Sequence, residues 1–194
     1  MPLYTYPVPE GRPAGSSLTG GYSLPGVDIN QFATIGPGGA RIIYSAIYVT
    51  TAIVIDQLAA EITTQSVGVD FRMGLYVANT SWQPTALLFD SGAISCTGTG
   101  VKTASAPLVL APDRYVTALM VPDNTVNFRI GRGGGRYGIT GSTMGGSFPT
   151  RWQITGIGSP STTAFTNPGT LWTASAASVG TGDEYYIWLR VTVP

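Results

Sequence analysis

Residues 69–92 read VDFRMGLYVANTSWQPTALLFDSG, and residues 107–121 read PLVLAPDRYVTALMV. Apolar side chains occupy every second position at the start of the first stretch, namely Val69, Phe71, Met73, Leu75 and Val77. This period of two is expected of a strand with one face buried. Turn-forming residues follow at 79–84, before a second apolar run at 87–89 ends in serine and glycine. The pattern predicts antiparallel strands joined by short turns.

The composition favours a single domain with a sizeable core and a weakly charged surface. The 194 residues are 43 % hydrophobic and only 10 % charged, against roughly 25 % charged in ordinary globular chains. Ten acidic and ten basic residues cancel. The net charge therefore provides neither attraction to nucleic acid or an anionic membrane nor repulsion between copies. Such a chain suits self-association and lasting contact with neighbouring proteins.

The sequence offers little for catalysis or for binding a cofactor. It has no histidine and a single cysteine, Cys96, which excludes an intramolecular disulfide, the common zinc patterns and a Ser-His-Asp triad. The glycines at 133–138 match G-x-G-x-x-G, but no helix is predicted after them, so they indicate no dinucleotide site. No two acids are placed by sequence for glycoside hydrolysis. We expect a non-enzymatic protein without metal or cofactor.

Neither a signal peptide nor a membrane span is expected. The chain begins without a basic start and an apolar block. Its longest strongly apolar uncharged run, from Ile42 to Ile55, covers 14 residues, which is too short to cross a bilayer as a helix. The run is rich in Ile, Val, Thr and Tyr, so it predicts two core strands joined by a turn.

Residues 1–40 are predicted to form an extended arm. They contain six prolines and eight glycines, and their apolar residues follow no helical or strand period. Because proline restricts the backbone, less entropy is lost when such a segment docks, so the arm could lie along a neighbouring subunit. A disordered leader is the alternative. The expected apolar anchors of the arm are Tyr4, Tyr6, Tyr22, Ile29 and Phe32.

Residues 41–194 are predicted to form the folded domain. Strands are expected near 41–50, 52–63, 67–78, 86–90, 107–111, 114–121, 125–131 and 185–193. Alternation of Leu58, Ala60 and Ile62 predicts a strand where a helix could be considered. About eight short strands with Gly and Pro turns favour an all-β fold, an antiparallel two-sheet β-sandwich that is jelly-roll-like in topology. The aromatic outer face of the last strand favours a homo-oligomer.

Residues 131–182 form a long segment rich in Gly, Ser and Thr, and basic and aromatic residues lie in and beside it. Arginine forks and aromatic faces suit an anionic polysaccharide, and they are equally typical of protein interfaces. We favour a protein interface over a glycan site and expect no nucleic-acid partner, because the net charge is zero. The candidate contact residues are Arg129, Arg132, Arg136, Tyr137, Arg151 and Trp152.

The order of several short pieces resembles a known module. These pieces are RIIYSAIYVTTAIVIDQLAAEITT at 41–64, FRMGLYVANTSWQPTALLFDSGAIS at 71–95, GTGVKTASAPLVLAPDRYVTALMV at 98–121 and YYIWLRVTV at 185–193. Together they are similar to the β-sandwich module of tailed-bacteriophage virion proteins, which occurs in tail fibres and in head-fibre or capsid decoration proteins. The features that match are a strand ending in GLY, a Pro-centred turn before LLFDSG, a GTGVK turn, and LAP before a Tyr-bearing strand.

The resemblance implies a structural protein exposed on the surface of a phage virion and held there by its arm. Its implied partners are other virion proteins, of the capsid or tail, and further copies of itself. The alternative is a module for host attachment that binds cell-surface polysaccharide through the loops at 131–182. The resemblance leaves open whether the protein belongs to the head or the tail.

Overall fold

The computed structural model describes eleven stretches of the chain: 22–23, 31–35, 41–49, 52–81, 83–121, 125–132, 151–155, 163–166, 178–180, 184–185 and 187–192. Within these stretches the chain forms strands, turns and irregular connections, and it contains no helix. No helix in this part of the chain is therefore long and apolar enough to cross a membrane. The all-β fold class predicted from the sequence is confirmed.

Fourteen strands make up the described structure. In chain order they are β1 (Tyr22–Ser23), β2 (Gln31–Ile35), β3 (Arg41–Val49), β4 (Ile53–Thr64), β5 (Asp70–Ala78), β6 (Pro84–Asp90), β7 (Ile94–Ser95), β8 (Gly100–Leu110), β9 (Asp113–Val121), β10 (Asn127–Arg132), β11 (Arg151–Thr155), β12 (Ser178–Gly180), β13 (Glu184–Tyr185) and β14 (Trp188–Thr192).

The strands form two seven-stranded antiparallel sheets. Sheet A has the order β1-β14-β4-β10-β13, with β2 paired to β10 and β8 paired to β4. Sheet B has the order β12-β11-β3-β9-β5-β6, with β7 paired to β5. The run from Ile42 to Ile55 does contain two strands, as predicted, and β3 and β4 belong to different sheets. The chain therefore passes from one sheet to the other between them.

The main hydrophobic core lies between the two sheets. Sheet A contributes Leu58 and Ile62, among others, and sheet B contributes Phe71, Met73 and Leu119. The rings of Phe71 on β5 and Phe128 on β10 pack edge to face across this space, with centroids 5.3 Å apart. Side chains from alternate positions of both sheets thus fill one layer, which is the packing of a β-sandwich.

The outer face of sheet B is also buried, which corrects the prediction that the strand at 69–77 buries only one face. Tyr76 and Ala78 of β5 are buried on the face opposite Phe71, together with Val116 and Met120 of β9. On this second face they form a separate apolar cluster with Tyr44 and Phe165. Sheet B therefore has apolar packing on both sides, as the almost continuously apolar sequence of β9 requires.

Trp188 of β14 is 3 % exposed in the single chain. The sequence predicts that this side chain stands on the outer face of the last strand, opposite Ile187 and Leu189. Those two residues do lie in the core between the sheets, as expected. Because Trp188 is buried within its own chain, it offers little apolar surface to a second copy.

The pairing of β4 is irregular at Asp56. Gln57 pairs with Arg190 and Ile55 with Val191, so Asp56 has no opposite residue on β14, and the register between β4 and β8 shifts at the same place. At the bulge, Nε and Nη2 of Arg190 donate hydrogen bonds of 2.6 and 2.5 Å to the two carboxylate oxygens of Asp56. The bulge thus coincides with a two-point ion pair between neighbouring strands.

We expect the Asp56→Asn variant to lose less stability than the unchanged protein as the pH falls into the acid range. The hydrogen bonds from Arg190 lower the pKa of Asp56 below its ordinary value of 3.8. A carboxyl group whose pKa is lower in the folded than in the unfolded state stabilises the fold at pH values above its unfolded-state pKa. This contribution is lost as the pH falls through the folded-state pKa. Melting temperatures of both proteins, measured from neutral pH down to about pH 2, would check the expectation. Parallel curves would contradict it.

Candidate functional site

Two hydrogen bonds and one buried aromatic ring hold residues 163–166 against the outer face of sheet B. We call this segment the strap. Ala164 and Thr166 are exposed, whereas Phe165 between them is 5 % exposed. One aromatic side chain therefore anchors the strap, and the residues beside it remain at the surface.

The ring of Phe165 packs into a layer of buried tyrosines. Its centroid lies 6.0 Å from that of Tyr76, and the two planes meet at 87°. Tyr76 in turn packs edge to face with Tyr44 of β3 at 6.1 Å. These edge-to-face contacts are favourable beyond the burial of apolar area, because the positive edge of one ring faces the negative face of the next.

Gly74 provides the space for this ring. A Cβ atom built on Gly74 would lie 2.8 Å from Cε2 and 2.9 Å from Cδ2 of Phe165. Real Cβ atoms do not approach a neighbour so closely, so any larger residue would require the ring to move. A glycine in a strand interior often marks close approach of another chain segment, and it does so here.

Asp90, the last residue of β6, fixes the backbone of the strap. Its Oδ2 accepts a hydrogen bond of 3.1 Å from the backbone N–H of Phe165. Its two oxygens accept bonds of 3.1 Å from Nη1 of Arg72, and Oδ1 also accepts one of 2.9 Å from the backbone N–H of Gly92. One carboxylate thus joins β5, the turn after β6 and the strap.

The second polar tie is the hydroxyl of Tyr76, which donates a hydrogen bond of 3.0 Å to the carbonyl oxygen of Thr166. Burial, followed by electrostatic interactions with Tyr44 and Asp90, raises the pKa of Tyr76 above the ordinary value of 10.0. Burial likewise raises the pKa of Tyr44. The Tyr76 hydroxyl therefore keeps its proton at neutral pH and acts as a donor, which is the role that the strap requires.

Chemically, this arrangement holds a chain segment in place. Its one carboxylate already accepts bonds from Arg72, Gly92 and Phe165, and its tyrosines are protonated. In the stretches that the structure describes, no three side chains of the types that bind metal come together. Because the strap belongs to the long segment 131–182, it fixes one point of that segment on the sandwich.

The structure does not place the described basic candidates in one sheet. Arg129 lies on β10 of sheet A, where its Nε and Nη2 donate bonds of 2.8 and 2.9 Å to Glu61 of β4. Arg132 is the last residue of the same strand. Arg151 and Trp152 begin β11 in sheet B, opposite Ser45 and Tyr44 of β3. Arg136 and Tyr137 lie outside the described residues.

Two of the five predicted arm anchors fall in strands of sheet A. Tyr22 belongs to β1 and pairs with Arg190 of β14. Phe32 belongs to β2 and pairs with Gly131 of β10. Tyr4, Tyr6 and Ile29 lie outside the described residues, and so do the glycines at 133–138. Docking of the arm on another subunit remains a prediction.

The strap was not predicted from the sequence, although two signals for it were present. Gly74 interrupts a strand of large residues, and Phe165 is isolated among small and polar residues. Either observation could have suggested a close contact, but the sequence does not show that the two residues meet.

We compared the chain with protein-family models, with curated proteins and with solved structures, and none of them matches it.

Proposed function

We propose that this protein is a non-enzymatic structural component of a bacteriophage virion, of the capsid decoration, head-fibre or tail-fibre type. It is exposed on the particle surface, held by its N-terminal arm, and contacts other virion proteins and further copies of itself. The proposal is supported by the resemblance of the short pieces quoted above, which cover most of residues 41–121 and the last strand, to the phage β-sandwich module, and by the way the charged side chains are used.

The use of these charges is the structural observation that carries the proposal. Three ion pairs in the described part of the chain each join neighbouring strands: Asp56 with Arg190, Glu61 with Arg129, and Arg72 with Asp90. Their side chains are 12 to 35 % exposed, and the three pairs link β4 with β14, β4 with β10 and β5 with β6. In a chain that is only 10 % charged, these six side chains thus pair with one another across neighbouring strands of the same sheet, which fits a passive building block.

Deleting residues 2–20 tests the role of the arm. The deletion leaves β1 and β2 intact, so the purified protein should retain its fold by circular dichroism and its thermal transition. We expect the truncated protein to be lost from particles, because the prolines and tyrosines that would bury surface on a neighbour are gone. A phage that lacks the gene for this protein would be complemented with the gene for the truncated protein. Immunoblots of the purified particles would then measure how much of the truncated protein is incorporated.

A chain of full length in which only Tyr4 and Tyr6 are changed to serine is the matched control for length. It should show an intermediate loss if these side chains are anchors. Incorporation of the 2–20 deletion at the level of the intact chain would contradict the proposed role of the arm.

The second candidate function is host attachment through surface polysaccharide. The specific observation in its favour is the strap, because it fixes one point of the segment 131–182 on a rigid sheet, and sites held on rigid elements are positioned more precisely. Adsorption of the purified protein to host cells and to a glycan array distinguishes the two. Binding that is lost with the simultaneous change of Arg132, Arg136 and Trp152 to alanine would favour host attachment.

A further inference from the structure

The first forty residues contribute strands at the margins of sheet A. Ser23 and Tyr22 of β1 pair with Leu189 and Arg190 on β14. The five residues of β2 pair with β10, from Ile35 opposite Phe128 to Gln31 opposite Arg132. Both contacts are ladders of backbone groups, and such a ladder accepts any strand of suitable sequence and direction.

The strand that follows belongs to the other sheet. β3 begins at Arg41 and pairs with β9 and β11 in sheet B. Only residues 36–40, Gly-Pro-Gly-Gly-Ala, connect β2 with β3. Three of these five residues are glycine, which has no side chain to restrict the backbone. The composition of the connection is therefore compatible with an arm that pairs with another copy.

Exchange of the arm between copies preserves the pairings of β1 with β14 and of β2 with β10. When β1 and β2 of one chain pair with β14 and β10 of another, both ladders are the same as within one chain. Strand exchange is for this reason a low-cost route to association. The zero net charge of the chain removes the long-range repulsion that would oppose bringing copies together.

We propose that β1 and β2 are exchanged between copies of this protein in its assembled form, so that the arm of one chain completes sheet A of the next. The partner is a second copy of the same chain, and the contact surface is the backbone of β10 and β14. The proposal deepens the assembly role of the arm given above. It is tested on purified full-length protein, so that it can fail while incorporation into particles still requires the arm.

Cysteine pairs on opposite residues of the ladder test the exchange. Ala33 and Ile130 are Cα partners in the β2–β10 pairing. One chain carries Ala33→Cys and a second, differently tagged chain carries Ile130→Cys, both with the buried Cys96 replaced by alanine. Each chain then has a single thiol, so a disulfide between positions 33 and 130 forms only between chains. Co-expression followed by oxidation should give the tagged heterodimer on a non-reducing gel, confirmed by mass spectrometry of the linked peptides.

The matched control replaces Ile130→Cys by Val109→Cys. Val109 lies on β8 and is 74 % exposed, and β8 pairs with β4 rather than with the arm. The 33–130 heterodimer should exceed the 33–109 heterodimer at least tenfold. The single chain that carries both Ala33→Cys and Ile130→Cys should give linked dimers or larger species. If that chain gives only monomers closed by an internal disulfide, or if no linkage at 33–130 forms at all, the proposal is overturned.

Discussion

Replacing Phe71 by alanine should lower the free energy of unfolding by about 3–5 kcal/mol. Phe71 is fully buried on β5 of sheet B, and its ring meets the ring of Phe128 on β10 of sheet A edge to face. The substitution removes apolar contacts from both sheets at once and leaves a cavity that the opposed strands cannot close. Equilibrium denaturation followed by tryptophan fluorescence and circular dichroism would measure the change.

Val67→Ala is the control for that experiment. Val67 precedes β5 and is 76 % exposed, so its truncation should change stability by no more than about 0.5 kcal/mol. Similar losses for the two substitutions would contradict the placement of Phe71 in the layer between the sheets.

The strands that could be predicted are those in which large apolar residues recur. The second half of β8 was predicted because Leu108 and Leu110 are large. Its first half was not, because its inward positions at Ala104 and Ala106 are small and the residues between them are polar or exposed. When the buried residues of an alternating pattern are alanines, the difference in hydrophobicity between the two faces is too small to distinguish a strand from a loop.

Features that depend on contacts distant in sequence could not be predicted. The bulge at Asp56 is defined by where β8 and β14 pair with β4, and nothing in the local sequence fixes those registers. The burial of Tyr76 was missed for a similar reason, since an alternating strand does not show whether anything covers its second face.

The candidate site shows the same limit. Arginine and aromatic residues that are close in sequence suggested one contact surface, but the chain passes from sheet A at Arg132 to sheet B at Arg151. Arg129 is engaged with Glu61, a residue 68 positions away. The strap likewise joins Asp90 to Phe165 across 75 positions. Contacts between residues so far apart in the sequence are visible only in the three-dimensional structure.

Gly74→Ala should lower the free energy of unfolding by about 1–3 kcal/mol. The added methyl group would lie 2.8 Å from the ring of Phe165, so the ring must move from its place against Tyr76. The same substitution at an unobstructed position in a strand would be neutral or stabilising by about 0.4–1 kcal/mol, because alanine restricts the unfolded chain more than glycine does. Denaturation measures the stability, and limited proteolysis within residues 156–177 reports release of the strap.

Phe165→Ala provides the matched background. It removes the ring that the new methyl group would meet, so Gly74→Ala should lose its destabilising effect in a chain that already carries Phe165→Ala. The interaction free energy from this double-mutant cycle should therefore match most of the cost of Gly74→Ala alone. If Gly74→Ala lowers the free energy of unfolding equally in both backgrounds, contact with the strap is not the reason for the glycine at position 74. If the cost disappears, contact between the strap and sheet B is the reason that β5 contains a glycine at this position.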